Sequence, residues 1–495
     1  MAETSRLVCE SDRRYGTSSA RELHAKQKVH ANQAEHDGEE VHDHDIDTER
    51  RLLRKVDIRL CSIAAILCSL NLLDSGVISS ASVTSMISDL DLTGNRYSVS
   101  IFIFTLASIT FQLPSTIAIR IFGPRKWLSF ITVSFGIITF GTAFVHNWKE
   151  MIALRVLLGI AMSGIYPGLS YLISTWYLRS EQQTRFAYLQ SGQVIILATG
   201  GIVNFALNKL DGRAGLAGWR YMFSVQGLIS IIIGSITYFW MVDFPDNAHH
   251  SLWFVTEKEQ ALAVSRIESD RKDAHAEPFS WPNILVHAKD IKVYGFACML
   301  FCLNLVSTSL SYFLPIILQS GMGFNESESI LLSAPPYYYA VIPVIVSSIV
   351  SDRYRLRGPV IVFNSVCLIL GFCMLGFVDQ VTVRYIGAFL ATGAYISNWS
   401  ALTTYYANNI AGQWKRAFTA AVVTAMNGAG GIAGSFIVRQ NEAPWYPTAV
   451  WTSIGSHLLL IVFILAFSAW FAITNKRQRD GKALIEATEE FRYTF

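Results

Sequence analysis

Residues 60–82 read LCSIAAILCSLNLLDSGVISSAS, a run in which Asp74 is the one charged side chain. At 1.5 Å per residue, such a run spans roughly 30 Å of hydrocarbon as a helix. Only a helix or a closed barrel satisfies every backbone polar group there. The stretch directly before it, Arg54-Lys55-Val-Asp57-Ile-Arg59, is charged and marks where the span leaves the membrane. Outward from this segment the pattern repeats, at about 97–119, 127–146, 151–176, 187–208 and 218–241. After a polar stretch it resumes at about 292–319, 328–350, 359–378, 384–407, 418–438 and 448–474. The expectation is an all-α integral membrane protein of twelve transmembrane helices, six in each half.

The charge distribution supports this class. The chain carries 40 Lys and Arg and 37 Asp and Glu. Residues 1–59 hold 24 of these charges, 242–292 hold 15 and 475–495 hold 9, leaving 29 over the other 364 residues. That density, far under the roughly 25% of a soluble domain, cannot clothe a water-facing surface. A net charge of +3 offers no basic face for nucleic acid. The seven cysteines include no CxxC pair and read as small core hydrophobes. A charged beginning of about 55 residues does not have the form of a signal peptide.

Orientation follows from Lys and Arg in short loops. One side collects Arg54, Lys55 and Arg59, then Arg120, Arg125 and Lys126, then Arg179 and Arg185; in the second half it collects Arg353, Arg355 and Arg357, then Lys415 and Arg416. The reading therefore divides the chain into a disordered cytosolic tail (1–55), a first half (56–241), a cytosolic central loop (242–291), a second half (292–474) and a cytosolic tail (475–495). Asn325-Glu-Ser327 is a glycosylation sequon in an outward loop. The halves repeat each other: Arg155, Gly164, Tyr166 and Trp176 match Arg384, Gly393, Tyr395 and Tyr405 at an offset of 229, and Asp74 falls near Asn304 at 230. Two six-helix halves joined by a polar loop is the sequence form of a rocking secondary transporter.

With these residues in view, the chain resembles the major facilitator superfamily, and within it the fungal anion:cation symporters of the allantoate permease type. The matching runs include Leu73-Asp74, Leu113-Pro114-Ser115, Phe122-Gly-Pro-Arg125-Lys-Trp127, Arg155-Val-Leu-Leu-Gly159, Tyr166-Pro-Gly168, Gly218-Trp-Arg220, Thr256-Glu-Lys-Glu259, Ser351-Asp352-Arg353, Asn408-Asn409-Ile-Ala-Gly412 and Gly430-Gly431-Ile-Ala-Gly434. The resemblance implies the major facilitator fold, a small organic anion such as a vitamin-like carboxylate as cargo, a proton as co-substrate and the plasma membrane, with the vacuolar membrane open; the reading adds no cofactor and a monomer. The chain departs from the family at four places. The cation that usually follows the first-span Asp is Ser75, and acids usual in spans two, four and six are Gln112, Met162 and Gln226.

An ionisable residue inside a span is costly, so each is a functional candidate. Asp74 reads as a proton-coupling carboxyl, or as a helix-packing carboxylate bonded to an amide such as Asn71. Arg155, near the outer end of the fourth span, suits bidentate pairing with a substrate carboxylate, gating, or bonding to loop carbonyls. Asn71, Gln112, Gln190, Gln193, Gln226, Asn304, Tyr338, Asn398, Tyr405 and Asn427 are candidates for a polar midplane cavity, against helix cross-linking. Asp352, Arg353 and Arg357 read as a gating loop, with Arg125 as the weaker counterpart in the first half. The spacing Gly430-xxx-Gly434 reads as close helix packing rather than a nucleotide loop. The tail histidines, His24 to His44, read as solvated. No catalytic motif is found, so the reading is a transporter and not an enzyme; exporters of neutral or zwitterionic metabolites, and a non-transporting sensor, are the rival readings.

Overall fold

The computed structural model describes residues 49–177, 179–245, 248, 254–270, 289–354, 356–410, 413–481 and 492–494. The tail histidines and the side chains of Asn71 and Asp352 lie outside the described residues. The first long helix is already formed at Glu49, the first described residue, ahead of the expected span, and runs to Ala81 through a wide turn at Asp57–Cys61. We label its regular part α1 (Ser62–Ala81). Then come α2 (Arg96–Phe122), α3 (Pro124–Thr142), α4 (Trp148–Met162, resuming as Ile165–Trp176), α5 (Arg179–Asn208) and α6 (Gly218–Trp240). The second half has α7 (Ile291–Ile316, extended by Ile317–Gly321), α8 (Ala334–Tyr354), α9 (Arg357–Phe377), α10 (Val381–Asn408), α11 (Gln413–Ile437) and α12 (Pro447–Arg479). Among the described residues nine helices are long and apolar enough to cross a membrane, ten when the two arms of α2 count as one span. α3 and α10 complete the twelve as packed partners of those ten.

Local chemistry sets the breaks. Pro114 removes a backbone donor inside α2, and the helix bends there by 50°. Gly123, at φ 85°, turns the chain into α3, whose first residue is Pro124. Asn147 caps α4 by accepting from the Glu150 N–H at 3.0 Å. In the central segment, Thr256 and Glu259 cap each other's backbone at 3.3 and 2.9 Å and start a helix, Glu257–Asp270. The Lys55 ammonium, 2.5 Å from Glu259, ties this helix to the lead of α1.

Each half packs in the same way: α1 on α5, α2 on α4, α3 on α6 and α1 on α6 recur as α7 on α11, α8 on α10, α9 on α12 and α7 on α12. The contacts between halves, α2 with α11, α5 with α8 and α1 with α7, exchange with one another when the halves are swapped. Small residues allow the tight pairs. A Cβ on Gly371 would meet the Gly387 carbonyl at 2.8 Å, and one on Gly387 would meet the Gly371 carbonyl at 2.7 Å. At Gly430 and Gly434 an added Cβ would collide with the backbone oxygens of Phe301 and Leu305 of α7, so this pair serves helix packing. Large apolar side chains such as Phe239 and Val462 stay about 60% exposed on the rim, as lipid-facing positions do.

Candidate functional site

Where the halves meet, hydrogen bonds close the side away from the cation-rich loops. The Tyr97 hydroxyl donates to the Tyr312 carbonyl at 3.0 Å, Gln319 donates to the Val83 carbonyl at 3.2 Å, and Asn208 donates to Glu326 at 2.7 Å. Thr199 and Tyr338 share a hydroxyl–hydroxyl bond of 2.9 Å, and the Tyr97 ring sits edge-on to Phe313 at 5.4 Å. Below this seal, at mid-helix depth, lies a cavity of about 370 Å³ shared by both halves. Its wall is made of hydroxyls, amides and aromatics: Gln112, Gln190 and Gln193 from the first half, Asn304 and Asn427 from the second, with Tyr166, Tyr312, Tyr395 and Trp399. No charged side chain is found among its described lining residues. Asn304 donates to the Asn427 backbone carbonyl at 2.7 Å, which fixes the Asn304 side chain on the α7–α11 wall, while the Asn427 side-chain oxygen is buried without a partner.

A buried ion pair sits behind that wall. Arg155 Nη1 donates to Asp74 Oδ2 at 2.7 Å, with the two side chains only 2% and 1% exposed. α1 turns Leu72 and Ser75 to the cavity and Asp74 toward α4, because neighbours on a helix face directions about 100° apart. The Arg155 guanidinium lies 5.9 Å from the Phe104 ring, itself a cavity residue. The second guanidinium nitrogen, Nη2, is buried without a hydrogen-bond partner.

The description Major Facilitator Superfamily matches residues 64–435. The chain belongs to that superfamily. Among relatives of this facilitator, the high-affinity nicotinic acid transporter of Saccharomyces cerevisiae is 28% identical over 444 residues, covering 89% of this chain and 81% of the relative. An uncharacterized transporter of Schizosaccharomyces pombe is 31% identical over 369 residues, 74% of this chain and 76% of its own. In fold, the chain is similar to the xylose transporter XylE from E. coli in its partially occluded inward-open conformation, with a TM-score of 0.65, 14% identity, and 83% and 99% of the two chains covered. A bacterial homolog of the human lysosomal transporter Spinster, inward-facing, gives 0.62 at 13% identity, over 82% and 96%. The chain is thus a multi-pass transporter of the facilitator type, as its pattern of spans suggested.

Of the residues singled out from sequence, Gln112, Gln190, Gln193, Asn304 and Asn427 converge on the cavity of this facilitator. Five do not line it, Gln226 among them. Arg155 is turned to Asp74. Asn398 is fully buried and donates to Ser365 at 3.0 Å, a link between α10 and α9. Tyr405 packs edge-on to Phe296 at 5.8 Å inside the second half. Tyr338, 39% exposed, bonds Thr199 across the contact of α5 with α8. Arg384, the repeat mate of Arg155, does what was one option for Arg155: it bonds the carbonyls of Leu375, Gly321 and Pro444. Three of the four positions that depart from the resembled family, Ser75, Gln112 and Met162, line the cavity; Gln226 is buried outside its lining, with Nε2 unpartnered.

The gating residues are also rearranged. The first-half loop lacks its own acid, yet Asp243, just past α6, supplies one. Its carboxylate accepts from the Arg125 backbone N–H at 3.4 Å, while Arg125 Nε donates to the Tyr238 carbonyl at 2.6 Å. A Cβ at Gly123 would approach that carboxylate to 3.1 Å. Arg353 is exposed, whereas Arg357 is buried, and the Asn408 amide oxygen, in the orientation that satisfies both groups, accepts from it at 2.7 and 3.2 Å. Asn325 is exposed and begins the short helix Glu326–Leu332 through a capping box.

Proposed function

We propose that this facilitator moves a small organic acid across the plasma membrane by alternating access, and that the Asp74–Arg155 pair couples the anion to a proton. The observation that carries this reading is the pair itself, sealed behind the closed end of an uncharged cavity. A lone charge in that setting is expensive, so each must keep a counter-charge. When Asp74 takes up a proton, Arg155 loses its partner, and a substrate carboxylate can replace it as counter-ion. Proton and anion then bind together, no net charge moves, and neither occupies the site alone. Release reverses the exchange. With the cation-rich loops taken as cytosolic, the sealed side is external and the cavity serves the inward-facing state. Transit of the other state requires the Tyr97–Tyr312 seal to part while the charged side closes.

The nicotinic acid transporter among the relatives supports a carboxylate on a small aromatic body, a shape suited to amide and aromatic walls. The test is uptake into proteoliposomes under an imposed pH gradient, with labelled nicotinate and a panel of small carboxylates, each beside its neutral amide. Accumulation of a carboxylate but not of its amide is the expected result. Asp74→Asn should stop pH-driven accumulation and spare counterflow; full accumulation by that variant would remove Asp74 from coupling. A second reading, carriage of a neutral or zwitterionic metabolite, is favoured by the uncharged lining and would lead if only neutral compounds accumulate.

A further inference from the structure

Residues 492–494 lie in a slot between the charged-side ends of α10 and α12. Along an extended segment, each residue points its own N–H and C=O to one side, and the next residue points to the other. The slot matches that alternation. Asn475 of α12 donates to the Tyr493 carbonyl at 2.8 Å and accepts from the Tyr493 N–H at 3.1 Å. Across the slot, Asn409 donates to the Thr494 carbonyl at 3.1 Å and accepts from the Thr494 N–H at 2.8 Å. Each side-chain amide thus plays the part of a neighbouring strand's peptide group, the main-chain mode of peptide recognition. The Tyr493 ring stacks on Phe471 at 4.3 Å and 18°, and its hydroxyl meets Lys292 Nζ at 2.5 Å. Asn409 and Asn475 are themselves buried, at 0% and 7% exposure, and vacating the slot would strip Asn475 of both these bonds.

The internal repeat gives an independent reason to read this as a ligand in a site. In the first half, Asp57 at the head of the first span pairs with Arg185 of α5 at 3.2 Å, and the Tyr177 hydroxyl donates to Asp57 at 2.6 Å. In the second half, Asp290 at the head of α7 pairs with Lys415 of α11 at 2.5 Å, and Lys415 stands 230 residues after Arg185. The residue 229 after Tyr177 is Tyr406, whose ring packs against Phe296 at 6.4 Å. At this corner the phenol comes from Tyr493 of the tail, bonded to Lys292, which lies 3.5 Å from Asp290.

We propose that the charged-side end of the second half is a peptide-binding slot, that its ligand is the chain's own C-terminal Tyr493-Thr494, and that its occupancy favours the conformation whose cavity lies toward the charged side. A ligand shifts such an equilibrium only by binding one state better, and the slot is formed in this state. Modification of the tail, or a competing peptide of the same aromatic-then-polar kind, would then tune transport without entering the cavity.

Two readouts on the full chain in detergent test this without any transport substrate, so the result stands apart from the organic-acid reading. Carboxypeptidase release of Thr494 and Tyr493 reports docking. Modification of Cys68, a cavity residue, by a water-soluble methanethiosulfonate, read by mass spectrometry of its peptide, reports the state of the cavity. At about fivefold per hydrogen bond, Asn409→Ala with Asn475→Ala should speed tail release by at least about tenfold and change the Cys68 rate. Tyr493→Ala, which leaves both slot amides intact, should do the same in smaller measure. Release from the native chain as fast as from the double variant would overturn the slot. Faster release with the Cys68 rate unchanged in both variants would overturn the conformational role.

Discussion

Removing either charge of the Asp74–Arg155 pair should cost far more than removing both. The two atoms lie 2.7 Å apart and the side chains are 1% and 2% exposed, so solvent screens little of their attraction. Deleting one partner of such a pair strands a buried charge and costs about 3–5 kcal/mol, while replacing both by neutral groups is near neutral. In cooperative units of 150–250 residues, 1 kcal/mol moves the melting temperature by about 2–4 °C, and each six-helix half is of that size. Asp74→Asn or Arg155→Gln alone should therefore melt roughly 10 °C below the native protein, and the double variant within a few degrees of it. The assay is tryptophan-fluorescence melting of the four proteins in one detergent at pH 7.5. Single variants that melt like the native chain, or a double variant that loses the sum of the two, would refute the pairing, and with it the exchange of Asp74 for a substrate carboxylate.

Three further outcomes are expected. The Asp290 carboxyl lies below its ordinary 3.8: burial pushes it up, but bonds from Lys415 and the Lys292 amide, with both ammonium charges, outweigh burial. A depressed folded-state value adds stability above the unfolded value and loses it as pH falls through the folded one. Melting should then be flat from pH 7 to 5 with respect to this group and fall below about 4, and Asp290→Asn, which keeps the helix cap, should flatten that fall; an unchanged profile would exclude the ion pairs as its cause. Gly434→Ala should cost about 1–3 kcal/mol by forcing α11 off α7, read as a lowered melting temperature, while Gly455→Ala, with nothing near its Cβ position, should not; equal shifts would refute the close approach. Expressed in a fungal host, the protein should lose mass on treatment with a glycosidase specific for Asn-linked sugars, and Asn325→Gln should abolish that loss. A native chain unaffected by the enzyme would argue against an outward Asn325.

The helices and their pairing into halves were legible because a span must be long, apolar and free of unpaired backbone, constraints written locally into 20 residues at a time. Gln112, Gln190, Gln193, Asn304 and Asn427 were legible as cavity candidates for the same reason, since few amides are tolerated in hydrocarbon without a partner. Asn398 and Tyr405 carry the same sequence signal and serve packing instead. The helix face that each side chain presents to a neighbour separates the two groups, and the sequence carries no direct record of the neighbour. Asp243 was missed because it stands beyond the end of α6, 118 residues from the Arg125 backbone it meets. The tail slot was missed because side-chain amides that grip a peptide backbone leave no pattern in the peptide they hold.

By itself, then, the sequence determined the membrane class, the six-plus-six division, the internal repeat and the superfamily, all properties of hydrophobic length and residue order. The tertiary structure decided which side of the half interface is sealed, that Arg155 faces Asp74 rather than the cavity, and that the cavity wall holds no charge among its described residues. Those are matters of helix rotation and contact over more than 80 positions in the chain. They are set by close packing of small residues and by pairing of buried charges, energies that exist only once distant segments have come together.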